Sequence, residues 1–294
     1  MSFKYQVGNL NLISEIEISA LRTKNFTNAD IEVLIGPKIK PPDRTIELTP
    51  NGKILYKDIC NNVFLVSSSK IIISLQDNNK DQASVSLLGI PLGYVLQYNN
   101  FQVLHGSAVA IGNATVCFVG KSQAGKSSMA LALINNGFRL VTEDLCIVKD
   151  LHIYNFSSWI KSKQELIPKE LIPLSNIQIE KDSRQRSLYR LDSKHISRRQ
   201  TSIKAIYFLD QGKETKISNL SSLNAFRYLF TYAYRTSDQD IKNLNNLTQI
   251  CKNTRSFLFS RDFHKPLDEN KAFLIDHLNR NFPDLAASSK KQNG

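Results

Sequence analysis

The 294-residue chain contains no apolar run that approaches the length needed to span a bilayer. Its first residues, MSFKYQVGNLNL, lack the basic, apolar and small-residue sections of a signal peptide. We therefore expect a cytoplasmic protein without a membrane partner. The chain also lacks internal repeats and long low-complexity tracts, which argues against a repeat architecture. Its length allows one large domain or two modest ones.

Cysteine is scarce. The four cysteines (Cys60, Cys117, Cys146 and Cys251) lie far apart, and no two form a CxxC pair. Structural zinc sites and disulfide frameworks need clustered thiols, so this spacing argues against both and favours a reducing compartment. Cys117 and Cys146 fall inside apolar strand-like runs, which predicts buried structural thiols.

Acidic residues are outnumbered, with 26 Asp and Glu against 38 Lys and Arg, which gives a net charge of +12. The positive charge is scattered along the chain, and aromatic residues are not interleaved with it as in single-strand-binding proteins. We interpret the charge as solvation and attraction to phosphate, and we expect no nucleic-acid partner.

What the chain does contain is a full match to the phosphate-binding pattern G-x-x-x-x-G-K-[ST]. The candidate nucleotide-binding residues are Gly120, Lys121, Ser122, Gln123, Ala124, Gly125, Lys126, Ser127 and Ser128. The β-branched and aromatic run Thr115–Val119 predicts a buried strand before the loop, and SMALALIN predicts a helix after it. Gly137 follows where that helix should end. Loop N–H groups and a helix N-terminus would then face an anion.

The alternative is a solvated glycine turn that caps an ordinary helix. That interpretation leaves Lys126 unexplained, because a cation at the start of a helix opposes the helix dipole.

Residues 1–85 are predicted to form a β-rich N-terminal subdomain without a catalytic grouping. The expected strands are Leu12–Ile18, Ile31–Ile35, Thr45–Leu48, Val63–Val66 and Ile71–Leu75. Residues 86–285 should form the second domain, and the tail 286–294 should be disordered. We therefore expect a mixed α/β protein.

The second domain is predicted to begin with a buried helix over Val85–Tyr98, which Pro91 should break or kink unless it lies in a first turn. Further strands are expected at Phe101–Leu104, Ser107–Ile111, Arg139–Thr142, Leu145–Val148, Ser202–Leu209 and Ser256–Ser260. Three helices should follow: one capped by Ser221 or Ser222, one starting near Asp238, and one over Glu269–Asn281. Their expected apolar faces are Leu223, Phe226, Leu229, Phe230 and Ala233 for the first, and Ile241, Leu244, Leu247 and Ile250 for the second.

The stretch from Lys161 to Gln200 is polar and is expected to be a mobile surface loop. Its basic residues are Arg184, Arg186, Arg190, Arg198 and Arg199. They leave open a second interpretation, a flap that closes over phosphate or an acidic substrate.

Two acidic residues decide what a phosphate loop could do. Glu143 and Asp144 follow the apolar run Arg139–Thr142, whose end should return beside the loop. One or both carboxylates would then face a magnesium ion and the terminal phosphate, unless they are surface acids that terminate a strand. His105 ends a strand-like run and could return to the same edge, although a lone histidine is more often structural. Arg235 and Lys161 are further candidates to reach the phosphates.

The order HG…GxxxxGKS…ED resembles the HPr kinase/phosphorylase family and its looser relatives, some of which act on the precursors of lasso peptides. The segments Leu87–Gly89, Leu104–Val109 and Gly137–Val141 are also similar to these relatives. The convincing resemblance covers roughly residues 86–150. It implies the core fold that the family shares with phosphoenolpyruvate carboxykinases.

The resemblance implies a role for each matching residue. Lys126 would bind the β- and γ-phosphates of ATP, and Ser127 and Asp144 would hold Mg²⁺. Glu143 would act as the base toward an acceptor serine, with His105 beside it. Glutamate stands at 143 where the family has aspartate, and the family's later glutamate loop has no clear match; Glu165, Glu170 and Glu180 are candidates.

The expected function is an ATP-dependent kinase for a serine hydroxyl in a peptide or small protein. Two alternatives remain: a kinase for a small hydroxylated metabolite, and a catalytically weak nucleotide-binding regulator. Relatives form oligomers, which leaves a homo-oligomer open.

Overall fold

The computed structural model describes residues 2–155, 158–162, 172–178, 187–197, 200–235 and 240–283. It is a mixed α/β structure with two eight-stranded sheets, as the sequence predicts for the fold class. None of the helices in these ranges is both long and apolar enough to cross a membrane. The predicted tail, 286–294, and the candidates Glu165, Glu170 and Glu180 lie outside the described residues.

The first sheet contains strands β1 to β8 in the spatial order β3-β1-β2-β4-β8-β7-β6-β5. The strands are β1 Phe3–Val7, β2 Leu10–Ser14, β3 Arg22–Thr23, β4 Ile31–Ile35, β5 Ile46–Leu48, β6 Ile54–Lys57, β7 Val63–Val66 and β8 Lys70–Ser74. Pairs β2–β4 and β4–β8 are parallel, and the other pairs are antiparallel. Ile31 and Val33 are buried while their neighbours are half-buried, the alternation of a strand with one face on a core. Of the predicted strands, Leu12–Ile18 ends early, at Ser14.

Two helices follow where one was predicted. The single helix expected over Val85–Tyr98 is wrong in its continuity, because the chain forms α1 Lys80–Leu87 and α2 Ile90–Tyr98 with a break between them. Pro91 lies in the first turn of α2, where a missing N–H costs no helical hydrogen bond. The Asn79 side chain caps α1 by accepting a hydrogen bond from the backbone N–H of Gln82 at 2.9 Å.

The second sheet is built around β9 and has the order β10-β9-β12-β13-β17-β19-β18, with β11 also paired to β9. Its strands are β9 Gln102–Ile111, β10 Ala114–Val119, β11 Arg139–Thr142, β12 Leu145–Lys149, β13 His152–Tyr154, β17 Thr201–Gly212, β18 Lys216–Asn219 and β19 Arg255–Asp262. The two short runs predicted before residue 112 form one strand, β9. Pairs β10–β17 and β17–β19 are parallel, so the carboxyl ends of three strands meet at one edge of the sheet.

The expectation of an irregular loop over Lys161–Gln200 is wrong for its described residues. Strands β14 Trp159–Ser162, β15 Ile172–Gln178 and β16 Ser187–Arg190 form a third sheet in the order β14-β16-β15. The basic residues Arg184, Arg186, Arg198 and Arg199 lie outside the described residues, so the flap interpretation stays a prediction.

The remaining helices are α3 Lys126–Ile134, α4 Ser222–Tyr232, α5 Asp240–Asn253 and α6 Leu267–Asn281. Ser221 caps α4, as one of the two predicted serines. The predicted apolar faces of α4 and α5 are wrong in part: Leu223 and Ile241 are 62% and 79% exposed, while Leu229, Leu247 and Ile250 are buried.

One buried apolar cluster joins the first sheet to the rest of the protein. It includes Tyr5 and Phe64 from that sheet, Val103 and Leu145 from β9 and β12, and Trp159 from β14. Cys117 and Cys146 are buried, as expected for structural thiols, and Cys251 is buried as well, whereas Cys60 is half-buried.

Candidate active site

The glycine loop lies between the carboxyl end of β10 and the start of α3. Gly125 is the N-cap of α3 at φ +79°, a conformation that L side chains rarely adopt. A Cβ at Gly120 would lie 2.7 Å from the Leu209 carbonyl oxygen of β17, which is closer than real Cβ contacts. Both glycines of the pattern therefore have a steric reason here, because the loop needs glycine at its first and sixth positions.

The Lys126 side chain curls back over this loop. Its Nζ donates hydrogen bonds to the carbonyl oxygens of Gly120 at 2.9 Å and Lys121 at 3.0 Å. Lys126 is only 7% exposed. The loop thus holds a buried ammonium group at the N-terminus of α3, where backbone N–H groups also favour an anion.

Glu143 lies against the first turn of the same helix. The Ser127 hydroxyl donates a hydrogen bond to Glu143 Oε1 at 2.5 Å, and Glu143 is fully buried. Strand β11 ends one residue earlier and thereby delivers the carboxylate to the loop. The sequence predicted this return, and the contact joins two of the predicted residues directly.

Asp144 lies in the tight connection between β11 and β12, at φ +67°. Its Oδ2 accepts a hydrogen bond from Lys161 Nζ at 2.5 Å, and the two side chains are 21% and 11% exposed. Lys161 comes from β14 and also lies over the ring of Trp159, 5.0 Å from its centroid. The two adjacent carboxylates therefore have different partners: Glu143 contacts the loop helix, and Asp144 contacts a lysine of the third sheet.

His105 lies on β9, in register with Leu145 of β12. Burial lowers the pKa of His105, and the positive charges of Lys126 and Lys161 act in the same direction, against the charge of Asp144 and a hydrogen bond with the Asp144 backbone. The imidazole is therefore neutral near pH 7. The structure brings His105 together with Asp144, Lys126 and Lys161, so the histidine joins the predicted carboxylates.

Two tyrosines that no sequence motif marks are also influenced by the charge of Asp144. Burial, then the charges of Asp58 and Asp144, raise the pKa of Tyr56 to about 12. Burial and the Asp144 charge likewise raise the pKa of Tyr234. Tyr234 donates its backbone N–H to the Val103 carbonyl at 2.9 Å, two residues before His105. Since Tyr56 belongs to β6, the first sheet contributes a side chain to the surroundings of the site.

The other predicted residues are more peripheral. Lys121 is exposed, and its Nζ lies 3.9 Å from a carboxylate oxygen of Asp210. Ser122 and Gln123 are also exposed, and Ser128 is half-buried. Arg235 is exposed and places its guanidinium 3.9 Å from the centroid of the Phe230 ring. No described contact joins Arg235 to the glycine loop.

Arg261, at the end of β19, was missed by sequence reasoning. Its guanidinium donates a hydrogen bond to the Ala124 carbonyl of the glycine loop, and the residue is only 3% exposed. No motif in the sequence marks it, because the two residues are 137 positions apart.

The oxygen atoms in this site suit a magnesium ion. The Ser127 hydroxyl and the Glu143 carboxylate are hard donors already in contact, and Asp144 follows directly. In the described part of the chain, no group of three or more His, Cys, Asp or Glu side chains could hold a metal unaided. Mg²⁺ commonly takes one or two protein carboxylates and completes its shell with water and phosphate oxygens, so the donor set fits it.

Comparison with known proteins agrees with the predicted resemblance. The chain is 30% identical over 128 residues to the HPr kinase/phosphorylase of Chlorobium chlorochromatii. The aligned region covers 43% of this chain and 32% of that protein. It is 28% identical over 140 residues to the HPr kinase/phosphorylase of Chlorobium phaeobacteroides, covering 43% and 41%. The chain therefore spans well under half the length of these relatives.

A solved Hpr(Ser) kinase/phosphatase from Coxiella burnetii aligns with 61% of this chain and 99% of its own, at 13% identity and a TM-score of 0.30. No protein-family model matches the chain.

Proposed function

We propose that the protein is an ATP- and Mg²⁺-dependent phosphotransferase that phosphorylates a serine hydroxyl in a peptide or small protein. The observation that carries the proposal is the Ser127–Glu143 hydrogen bond beside the buried Lys126. It unites a helix N-terminus, an ammonium group and a carboxylate at one point, as transfer of a terminal phosphate requires. Similarity to HPr kinase/phosphorylases supports the kinase class and the serine acceptor.

Within this proposal the phosphate-binding core of the family, with the loop Gly120–Ser127, holds the nucleotide. The loop N–H groups and Lys126 bind the terminal phosphates in line for transfer. Bound Mg²⁺ would neutralise negative charge on the phosphate oxygens. The acceptor oxygen forms a bond to the γ-phosphorus, the bond to the β-phosphate oxygen breaks, and ADP leaves.

The contacts favour a particular division of roles between the two carboxylates. The family resemblance implies that Glu143 is the base and that Asp144 holds the metal. Glu143 instead contacts Ser127, the other expected metal ligand, whereas Asp144 lies with the neutral imidazole of His105 and with Lys161. We therefore assign Glu143 with Ser127 to Mg²⁺, and Asp144 to the acceptor hydroxyl, whose proton it takes.

Transfer of labelled phosphate from ATP to serine-containing peptides tests the function. Lys126→Ala should abolish transfer, and Lys204→Ala, which changes an exposed lysine on β17, should leave it intact. Equal transfer by Lys126→Ala and the wild type would overturn the proposal. Phosphorylation of free serine or a sugar, but of no peptide, would favour the metabolite kinase instead.

The division of roles is tested by metal binding rather than by activity. Mn²⁺ binding in the presence of ADP, followed by electron paramagnetic resonance, should weaken in Glu143→Gln and persist in Asp144→Asn. The reverse pattern would restore the assignment implied by the family.

A further inference from the structure

Arg261 presents an electrostatic problem that the fold alone does not solve. The residue is 3% exposed, and burial lowers its pKa to about 10. Among the described residues no carboxylate forms an ion pair with it. A buried cation without an anionic partner is costly, so proteins rarely keep one unless something compensates for its charge.

Two carboxylates that lie close to Arg261 in the strand register are engaged elsewhere. Asp262, the next residue, accepts a hydrogen bond from the His264 backbone N–H at 2.9 Å. Asp210 precedes the register partner of Arg261 on β17 and lies 3.9 Å from Lys121. The Phe263 ring, 4.7 Å from the guanidinium carbon, offers only its aromatic face.

The hydrogen bonds of the guanidinium are also incomplete. One terminal nitrogen donates to the Ala124 carbonyl, while the Nε–H is buried and has no hydrogen-bond partner within the described structure. The other side of the group presses on the loop, where a Cβ at Gly125 would collide with it. A desolvated positive charge thus supports the glycine loop from β19, across from Lys126.

We propose that Arg261 is a positioning residue whose charge is compensated by the phosphates of a bound nucleotide. Arg261 holds the loop in place through its hydrogen bond to the Ala124 carbonyl. It also keeps a positive charge beside the phosphate site, and the negative charge of a bound polyphosphate would neutralise that charge. The inference rests on the proposed function, because it requires nucleotide at the loop. If this inference is right, loss of the Arg261 charge should weaken phosphate binding but should not lower the stability of the nucleotide-free protein.

The experiment compares Arg261→Met, Arg261→Lys and the wild type. Calorimetric titration with ADP and with adenosine separates phosphate contacts from base and ribose contacts. Arg261→Met should weaken ADP binding about tenfold or more, the scale of one charge-assisted contact, while adenosine binding is unchanged. Arg261→Lys keeps the charge without the planar fork and should lose less. Thermal denaturation of the apo proteins should show Arg261→Met to be at least as stable as the wild type.

Arg255→Met is the matched control, since Arg255 lies at the exposed opposite end of the same strand. It should not change the ratio of ADP to adenosine affinity. An unchanged ratio in Arg261→Met, or in the equally uncharged Arg261→Gln should the methionine variant not fold, overturns this inference alone. A wild type that does not bind ADP overturns the proposed function itself.

Discussion

The Asp144–Lys161 ion pair gives the sharpest prediction, because the chain contains a matched exposed pair. Replacing Lys161 by Met removes the charge and keeps an unbranched side chain of similar length. It leaves the Asp144 carboxylate, 21% exposed, without its lysine. Breaking a fully buried pair costs about 3–5 kcal/mol, and the partial exposure of Asp144 reduces our expectation to about 2 kcal/mol.

The control is Lys70→Met. Lys70 lies 2.9 Å from Glu32, but the two side chains are 42% and 46% exposed. Loss of such a surface pair should cost about 0.5 kcal/mol or less. In urea denaturation followed by fluorescence, Lys161→Met should therefore lose about four times as much free energy of unfolding as Lys70→Met.

The double variant Lys161→Met with Asp144→Asn completes the cycle. Removing both charges should recover part of the loss, because no partly buried carboxylate deprived of its lysine remains. Lys161→Met should also raise the pKa of His105 in an NMR titration, since the lysine charge is one of the influences that lower it. Equal losses from Lys161→Met and Lys70→Met, or strictly additive effects in the cycle, would refute the reasoning.

Three further predictions concern stability and thiol reactivity. Because the pKa of His105 is lower in the folded protein than in the unfolded chain, the unfolded chain takes up the proton first as the pH falls. The free energy of unfolding should therefore decrease as the pH drops through about 6.5. His105→Gln should flatten this dependence in denaturation curves measured at a series of pH values. Gly106→Ala should destabilise the protein by about 1–3 kcal/mol in the same assay, because a Cβ there would lie 2.6 Å from the Phe118 carbonyl oxygen and 3.2 Å from Cys146 Sγ. In a thiol-titration assay on the native protein, only Cys60 should react quickly, because the other three thiols are buried. Burial also raises the pKa of Cys251 to about 11, which slows its reaction further. Cys60→Ser should remove the fast reaction phase.

Local signals in the sequence were sufficient for the part of the site that is close in sequence. Strand β11 has the predicted bounds, Arg139–Thr142, and α3 begins at Lys126 as expected. Glycine requirements, a β-branched run and helix formers act within a few residues of one another, so their pattern is legible without the fold. The meeting of Ser127 with Glu143 followed from the geometry of strand, helix and returning strand.

The remainder of the site depends on contacts between distant segments. Arg261 reaches Ala124 across the sheet, and Tyr56 reaches the neighbourhood of Asp144 from the other sheet. Neither has a local pattern. Helix periodicity likewise predicted an apolar face on α4, but it could not predict which part of that face the rest of the protein would cover. Leu223 was therefore predicted to be buried, although it is exposed.

The shared apolar cluster has a consequence for how the chain is made. Tyr5 and Phe64 lie in the same cluster as Trp159 and Leu188. The cluster that contains the N-terminal residues is therefore complete only after residues much later in the chain have been synthesised. During translation the strands of the first sheet emerge with one face still unprotected against self-association. Such long-range closure also slows folding, because ordering the intervening loops costs entropy before the contacts repay it. A ribosome-bound chain that stops short of β14 would therefore leave part of this cluster exposed, whereas one extended beyond Leu188 could complete it.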